Sequence, residues 1–492
     1  MELRCLLSIM KKINALILLG LIVWPLSSLH ALDIALPEMG DSAGALISPQ
    51  QEHEIGQSFF WRLQQSVDLI DDPEVNSYIQ SLGYRLAANS DAPSLSFTFF
   101  MVPDPTVNAF AAPGGFIGMN SGLILTSQRE DEVASVMAHE IAHITQRHLL
   151  RSFEQSKQMS VPMTVAMIAA ALLGATTDAK MGTAAIMALQ AGGIQAQINF
   201  TRANESEADN LGMLTLVRAG FDAQAMPTFF ERLQQTSRFY TSSAVPEFLR
   251  THPVTTSRIA DARGRAVTYP LKKQLGDNLQ FYLIREKLRV MAATDLNQLT
   301  AYYADALASG SSLDNDAARY GYSLALAAKG DYIQARTVIQ ELIDQDKDRL
   351  SYQLALADLE MAVGRLSAAL TIYNDNQKLY PDDQALTLKQ VGALLQANLP
   401  EKAVALLQTQ LELGAPSRQL YKLLSQAKAD MGEKSQSHSW LAEYYYSLGR
   451  LEQAADQLRL AAGFAKNDDY QLAKISSRLR EVEMTLAQME KM

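Results

Sequence analysis

The chain has 492 residues, too long for one ordinary domain and long enough for two or three that each bury a core. Its composition, 48% hydrophobic and 20% charged, is that of a globular protein, and a net charge of −10 excludes a general nucleic-acid binder. The single cysteine, Cys5, lies near the N-terminus, so the rest of the chain is expected to rely on packed cores and not on disulfides.

Arg4, Lys11 and Lys12 surround the start of an apolar run from Ile13 to Trp24, and Pro25, Ser27 and Ser28 lead to a cleavage point after Ala31. Residues 1–31 therefore read as a secretory signal peptide. The apolar run of about 12 residues is short against the roughly 20 that a spanning helix needs, with an uncleaved anchor as the alternative. A processed chain without cysteine suits a bacterial periplasmic protein at least as well as a eukaryotic secreted one.

Residues 32–47 carry Pro, Gly and Ser and read as irregular. Apolar spacing predicts helix from Glu52 to about Asn89, broken at Pro73. Three short strands are expected at Leu95–Val102, Asn108–Ala112 and Gly115–Met119, followed by two helices between Ser121 and Phe153. Residues 161–198 hold two apolar stretches around Asp178 and Lys180, each too short to span a membrane. They read either as a pair of buried helices or as a mobile apolar flap over a site. From residue 271 the pattern is helical only, with 271–316 as a connector.

Within 317–492 there is an internal repeat. Gly330, Gly364, Asn398 and Gly432 are spaced 34 residues apart, and five residues after each comes a small side chain, Ala335, Ala369, Ala403 and Ser437. A further turn falls at Gly449, with Ala454 five on. A period of 34, a turn residue between two helices and a small residue where helices cross resemble the tetratricopeptide repeat.

The chemistry concentrates in one helix. Three of the seven histidines, His139, His143 and His148, fall in the segment beginning Ala138-His139-Glu140-Ile141-Ala142-His143. His139 and His143 at i and i+4 project from one helical face and can bind one zinc, while Glu140 can act as general base on water at the metal's open position. Val133, Val136, Met137, Ile141 and Ile144 make the helix apolar otherwise. The third ligand is not in the spacing Gly-x-x-His, because those positions are Gln146 and Leu149. His148 falls on another helical face and reads as structural or as support for a ligand. The next acidic candidate is Asn204-Glu205-Ser206-Glu207-Ala208-Asp209. On a helix Glu205 and Asp209 share a face, so Glu205 could bind metal while Asp209 orients a ligand histidine; the bland alternative is an acidic, solvated helix start. Glu207 lies about 200° round and should not join them.

His-Glu-x-x-His followed some sixty residues later by Glu-x-x-Ala-Asp resembles the HtpX / CAAX-prenyl-protease-like gluzincins. Thr251-His252-Pro253-Val254-Thr255-Thr256-Ser257-Arg258 matches that family's His-Pro-x-x-x-x-Arg motif, and Asn108-Ala109-Phe110-Ala111 resembles its active-site edge strand. The resemblance implies a mostly helical α+β zincin-type domain over 32–270, followed by an all-α repeat superhelix over 317–492. It implies one Zn2+ held by His139, His143 and Glu205, with Glu140 catalytic and His252 a removable fourth, regulatory ligand. Arg258 either stabilises an oxyanion or braces the local structure. Combined with the signal peptide and the repeats, the chain is similar to periplasmic members that serve outer-membrane beta-barrel assembly. That similarity implies unfolded or misfolded outer-membrane proteins as substrates, the barrel-assembly machinery as a partner of the repeats, and possible peripheral membrane contact. The rival expectations are a repeat-based chaperone or scaffold with a structural zinc, and an integral-membrane protease.

Overall fold

In the computed structural model the described residues are 47–155, 194–237, 247–270, 278–310, 315–414 and 416–489. The signal-peptide reading, and nearly all of the apolar 161–198 segment, lie outside them.

The chain enters through α1 (Pro49–Ser66). Ser48 accepts from the Gln51 amide and Gln51 reaches back to the Ser48 amide, so two of the helix's orphan donors are satisfied. Pro73 does not kink one long helix. It starts a second, α2 (Pro73–Ala87), whose first amides are capped by Asp72. Three short strands follow: β1 (Thr98–Val102), β2 (Ala109–Ala112) and β3 (Phe116–Asn120). β3 is central, parallel to β1 in the register Thr98↔Phe116 and antiparallel to β2 in the register Ala109↔Met119. β2 is thereby an edge strand.

Where two helices were expected there are three: α3 (Ser121–Thr126), α4 (Glu130–Thr145) and α5 (His148–Gln155). The extra boundary is at Gln128 and Arg129, whose amides turn onto the Glu132 carboxylate, which Arg232 also holds. The second boundary is at Arg147, a non-glycine residue with φ 50. α4 is core on nearly every side, with Val133, Ala134, Met137, Ala138 and Ile141 all at 0% exposure. After α6 (Ile194–Arg218) come α7 (Ala225–Ser237), α8 (Glu247–Thr251) and α9 (Thr256–Ala266).

Everything beyond is helical. α10 (Leu279–Met291) turns Phe281, Ile284 and Leu288 into the core that holds α4, and Leu283 into the first core of the repeats. The connector is thus shared structure and not a tether. α11 (Leu296–Ser309) precedes the paired helices α12 (Asn315–Lys329), α13 (Tyr332–Gln345), α14 (Leu350–Ala362), α15 (Leu366–Leu379), α16 (Gln384–Gln396), α17 (Pro400–Glu412), α18 (Arg418–Asp430) and α19 (Lys434–Ser447). α20 (Leu451–Phe464) and α21 (Asp469–Met489) close the array. The repeat register is explained by backbone conformation. Gly330, Gly364, Asn398 and Gly432 all have positive φ, between 57° and 92°, at the turn inside a pair. The small residues five on sit where helices cross: Ala335, Ala369 and Ala403 are fully buried, while Ser437 is half-buried with its Oγ 3.4 Å from Ser425 Oγ.

The array docks on the first two helices. Trp61 of α1 is buried among α19–α21 and meets Tyr446 edge-on at 5.3 Å. Gln64 donates to the Ser447 carbonyl at 3.1 Å, and Arg418 pairs with Asp71 at 2.9 Å. Lys287 of α10 and Lys389 of α16 converge on Glu74 of α2, with Asp72 and Asp358 completing the group. Burial works against both lysine charges, but these carboxylates outweigh it and raise both lysines above their ordinary value. Among the described residues no helix is long and apolar enough to cross a membrane.

Two turn glycines give a test. At Gly432 an added Cβ meets nothing within 4 Å, so Gly432→Ala should cost only the left-handed conformation, about 1–2 kcal/mol. At Gly449 (φ 70) the Cβ would fall 2.3 Å from Trp61 Cβ, adding overpacking of about 1–3 kcal/mol. Urea unfolding of the two variants should therefore rank Gly449→Ala as clearly the less stable; equal losses would contradict the docking described.

Candidate metal centre

α4 carries His139 and His143 on one face, their Nε2 atoms 3.0 Å apart. α6 crosses α4 at His139, where Gly212 makes the approach possible: a Cβ there would lie 3.0 Å from both the Cα and the N of His139. This contact sets Glu205 and Asp209, seven and three residues before Gly212, against the histidines. Glu205 Oε2 lies 3.4 Å from His139 Nε2, and its Oε1 3.4 Å from His143 Nε2. Asp209 Oδ1 lies 3.0 Å from His139 Nδ1, the nitrogen facing away from the cluster.

α8 delivers the fourth donor. The Phe248 amide donates to the Val107 carbonyl at 3.3 Å, anchoring α8 beside the sheet, and the His252 ring stacks on Phe248. His252 Nδ1 is 3.3 Å from His139 Nε2 and 3.0 Å from Glu205 Oε1. Four donor atoms, from His139, His143, Glu205 and His252, lie within 4.8 Å of one another. A tetrahedral ion with metal–donor bonds of about 2.0–2.1 Å needs donors about 3.3 Å apart, and five contacts within the cluster fall at 3.0–3.4 Å.

Arg258, at the start of α9 after the Thr255 cap, is almost completely buried. Its Nε and Nη2 donate to Asp209 at 2.8 Å each, and its Nη1 pairs with Glu205 at 2.8 Å and donates to the Pro253 carbonyl at 3.0 Å. The guanidinium therefore braces the two carboxylates that serve the cluster. Four of its N–H donors are used in these contacts.

The electrostatics ask for a cation. Burial opposes a charged His139, yet the Asp209 and Glu205 carboxylates against it push it up to about 10. Burial and the charge on His139 push His143 down. Burial would raise Glu205, but His252 and His139 hold it well below the usual carboxylate range. A proton on His139 and a metal ion among the four donors are alternative answers to the same excess of carboxylate. Glu140 is 1% exposed, and its Oε1 has no hydrogen-bond partner among the described residues, lying 3.5 Å from His252 Nε2. A buried carboxylate oxygen left unpaired at the mouth of the donor cluster is placed to receive a proton.

Glu140, His143, Glu205 and His252 open onto a cavity of about 310 Å3 that Phe110 and Ala111 of the edge strand β2 also line. Asn108, just before that strand, lines the same cavity, is 3% exposed and has an unpaired Oδ1. Sequence reasoning brought His139, Glu140, His143, Glu205, Asp209, His252 and Arg258 to one place, and the structure assembles all seven. It missed the group behind His143, where His148, Glu207 and Arg151 meet; the third histidine in the motif was the available signal. Glu207 stays out of the donor cluster as expected.

A mostly helical α+β fold with paired histidines and a glutamate on adjoining helices defines a metallopeptidase, and the peptidase family M48 model matches residues 73–266. The beta-barrel assembly-enhancing protease of Escherichia coli (strain K12) is 36% identical over 448 residues, 91% of each chain. A putative beta-barrel assembly-enhancing protease of Vibrio cholerae is 37% identical over 404 residues, 82% of this chain and 83% of that one. A mitochondrial metalloendopeptidase of Schizosaccharomyces pombe is 30% identical over 182 residues, 37% of this chain and 50% of that one. The chain belongs to the beta-barrel assembly-enhancing protease family, and it is a divalent-metal peptidase.

Replacing Arg258 by Leu strands Asp209 and Glu205 as buried carboxylates without their cation. Removing one partner of such a group costs about 3–5 kcal/mol. Arg258→Leu should therefore melt markedly lower and retain less metal after dialysis; unchanged melting and metal content would remove Arg258 from this role.

Proposed function

We propose that the protein is a zinc endopeptidase of the bacterial envelope, secreted to the periplasm and acting on outer-membrane beta-barrel proteins that are misfolded or stalled in assembly. The observation that carries this is the set of four converging donors beside an unpaired, buried Glu140. His139, His143 and Glu205 would hold the zinc, and His252 would be its displaceable fourth donor. Bound zinc would act as a Lewis acid on water and on the scissile carbonyl. Glu140 takes the proton of the attacking water and returns it to the leaving amine. Asp209 orients His139, and Arg258 holds Asp209 and Glu205 in place. An extended substrate segment pairs with β2, the edge strand on the cavity wall, where backbone hydrogen bonds accept many sequences. The proposed division is a protease domain to residue 270, a helical connector over 271–316 and a repeat domain from 317, which meets the barrel-assembly machinery. Peripheral contact with the membrane fits this location.

One observation favours a second reading. Four protein donors closing on one point are the arrangement of a structural metal, which would suit a repeat-based chaperone with little proteolysis. The two readings separate at Glu140 and His252. Glu140→Gln should keep the metal and lower peptide hydrolysis by about 10^2–10^4-fold. Chelation should abolish wild-type activity, and added zinc should restore it. A Glu140→Gln protein with full cellular activity would favour the scaffold.

His252 Nδ1 faces the donors while its Nε2 approaches Glu140, so the ring stands between base and cluster. Removing it opens the position that substrate and water need. His252→Ala should raise proteolysis, measured on an unfolded protein substrate. An unchanged or lower rate at normal metal content would eliminate the latch.

A further inference from the structure

The two histidines on α4 are backed differently. Behind His139 stands a carboxylate, Asp209. Behind His143 stands another histidine: His148 Nδ1 lies 2.9 Å from His143 Nδ1. On a continuous helix residues five apart point about 140° away from one another and could not meet. They meet because α4 stops. Gln146 ends it and Arg147 takes φ 50, so α5 starts at His148 with its ring turned back under the last turn of α4. Arg147 is tied into this conformation by Glu52 at 3.1 Å and by the Ile47 carbonyl at 3.0 Å.

The partners of His148 dictate its tautomer. Its Nε2 is 3.1 Å from Glu207 Oε2, which Arg151 also grips at 2.9 Å. An ionised carboxylate only accepts, so the Nε2 of His148 carries a proton, and in the neutral ring Nδ1 is then the acceptor. His143 directs Nε2 at the donor cluster and must therefore carry its own proton on Nδ1. The two facing nitrogens are then donor and acceptor. His148 is 3% exposed, and water does not compete for this bond.

We propose that His148 is a positioning residue for the metal centre: it accepts the Nδ1 proton of His143, fixes that ring with Nε2 toward the metal, and is itself held by Glu207 and Arg151. The proposal rests on the reading of His139, His143 and Glu205 as ligands. A neutral acceptor orients His143 without adding the negative charge that Asp209 adds behind His139. The ion thus receives one carboxylate-backed histidine, one imidazole-backed histidine and one carboxylate.

The test is metal affinity of the full chain, read by competition with a zinc chelator, together with the visible spectrum of the cobalt-substituted protein. His148→Phe keeps a ring and loses the acceptor. His148→Asn loses the ring and keeps an acceptor oxygen where Nδ1 stood. Loss of such support weakens metal binding by about 10–100-fold. His148→Phe should show that loss with a shifted cobalt spectrum, and His148→Asn should recover most of the affinity. If packing alone mattered, the order would reverse, and that order overturns the proposal, as does wild-type affinity in His148→Phe. Should His148→Phe fail to fold, His148→Leu against His148→Asn, similar in size, carries the same contrast. His143→Ala is the control for the underlying reading: if it binds zinc as wild type does, the ligand assignment fails, whereas failure at His148 alone leaves that assignment standing.

Discussion

The site depends on one close helix crossing. α4 brings two histidines and a glutamate but no third ligand, and the nearest carboxylate in sequence that can reach them is more than sixty residues away. Gly212 lets α6 lie against the backbone of His139, and the helical repeat then puts Asp209 and Glu205, one and two turns back, beside the ligand nitrogens. A side chain at 212 would push the helices apart along the line that sets donor spacing, and a tetrahedral ion tolerates little of that.

Bringing carboxylates into such a place creates an electrostatic problem. Glu140, Glu205 and Asp209 are all nearly excluded from water. Arg258 answers part of it by gripping Asp209 with two parallel bonds and Glu205 with a third. The remainder favours a cation, since the Asp209 and Glu205 carboxylates outweigh burial and push His139 up to about 10. Glu140 lines the cavity, and its buried Oε1 has no hydrogen-bond partner among the described residues, with His252 Nε2 3.5 Å away.

Much of this was legible in the sequence because helical periodicity translates directly into shared faces. His139 with His143, and Glu205 with Asp209, needed only a helix to be placed correctly. The 34-residue register was legible for a similar reason, since the turn between paired helices demands positive φ and selects glycine or asparagine. What periodicity could not supply was the break at Arg147. Nothing in a non-glycine residue announces a left-handed conformation, and the ties that stabilise it come from Glu52 and Ile47, far away in sequence. His148 was therefore read as lying on another helical face, whereas the break turns its ring onto His143. Arg258 was identified by motif, and its bonds to Asp209 and Glu205 became visible only in the structure.

The repeats bear on the same chemistry through α10 and α1. α10 contributes side chains to both cores, so the two parts of the chain cannot move independently without exposing one face of it. α1 is clamped at Trp61 and Gln64 by the last repeats, while Glu52, one helix end away, holds Arg147 beneath the metal helix. The helix that the last repeats clamp thus also lines the cavity through Glu52, and the ion pair of Glu74 with Lys287 joins α2 to α10. The geometry makes the repeat array part of the frame around the donor cluster.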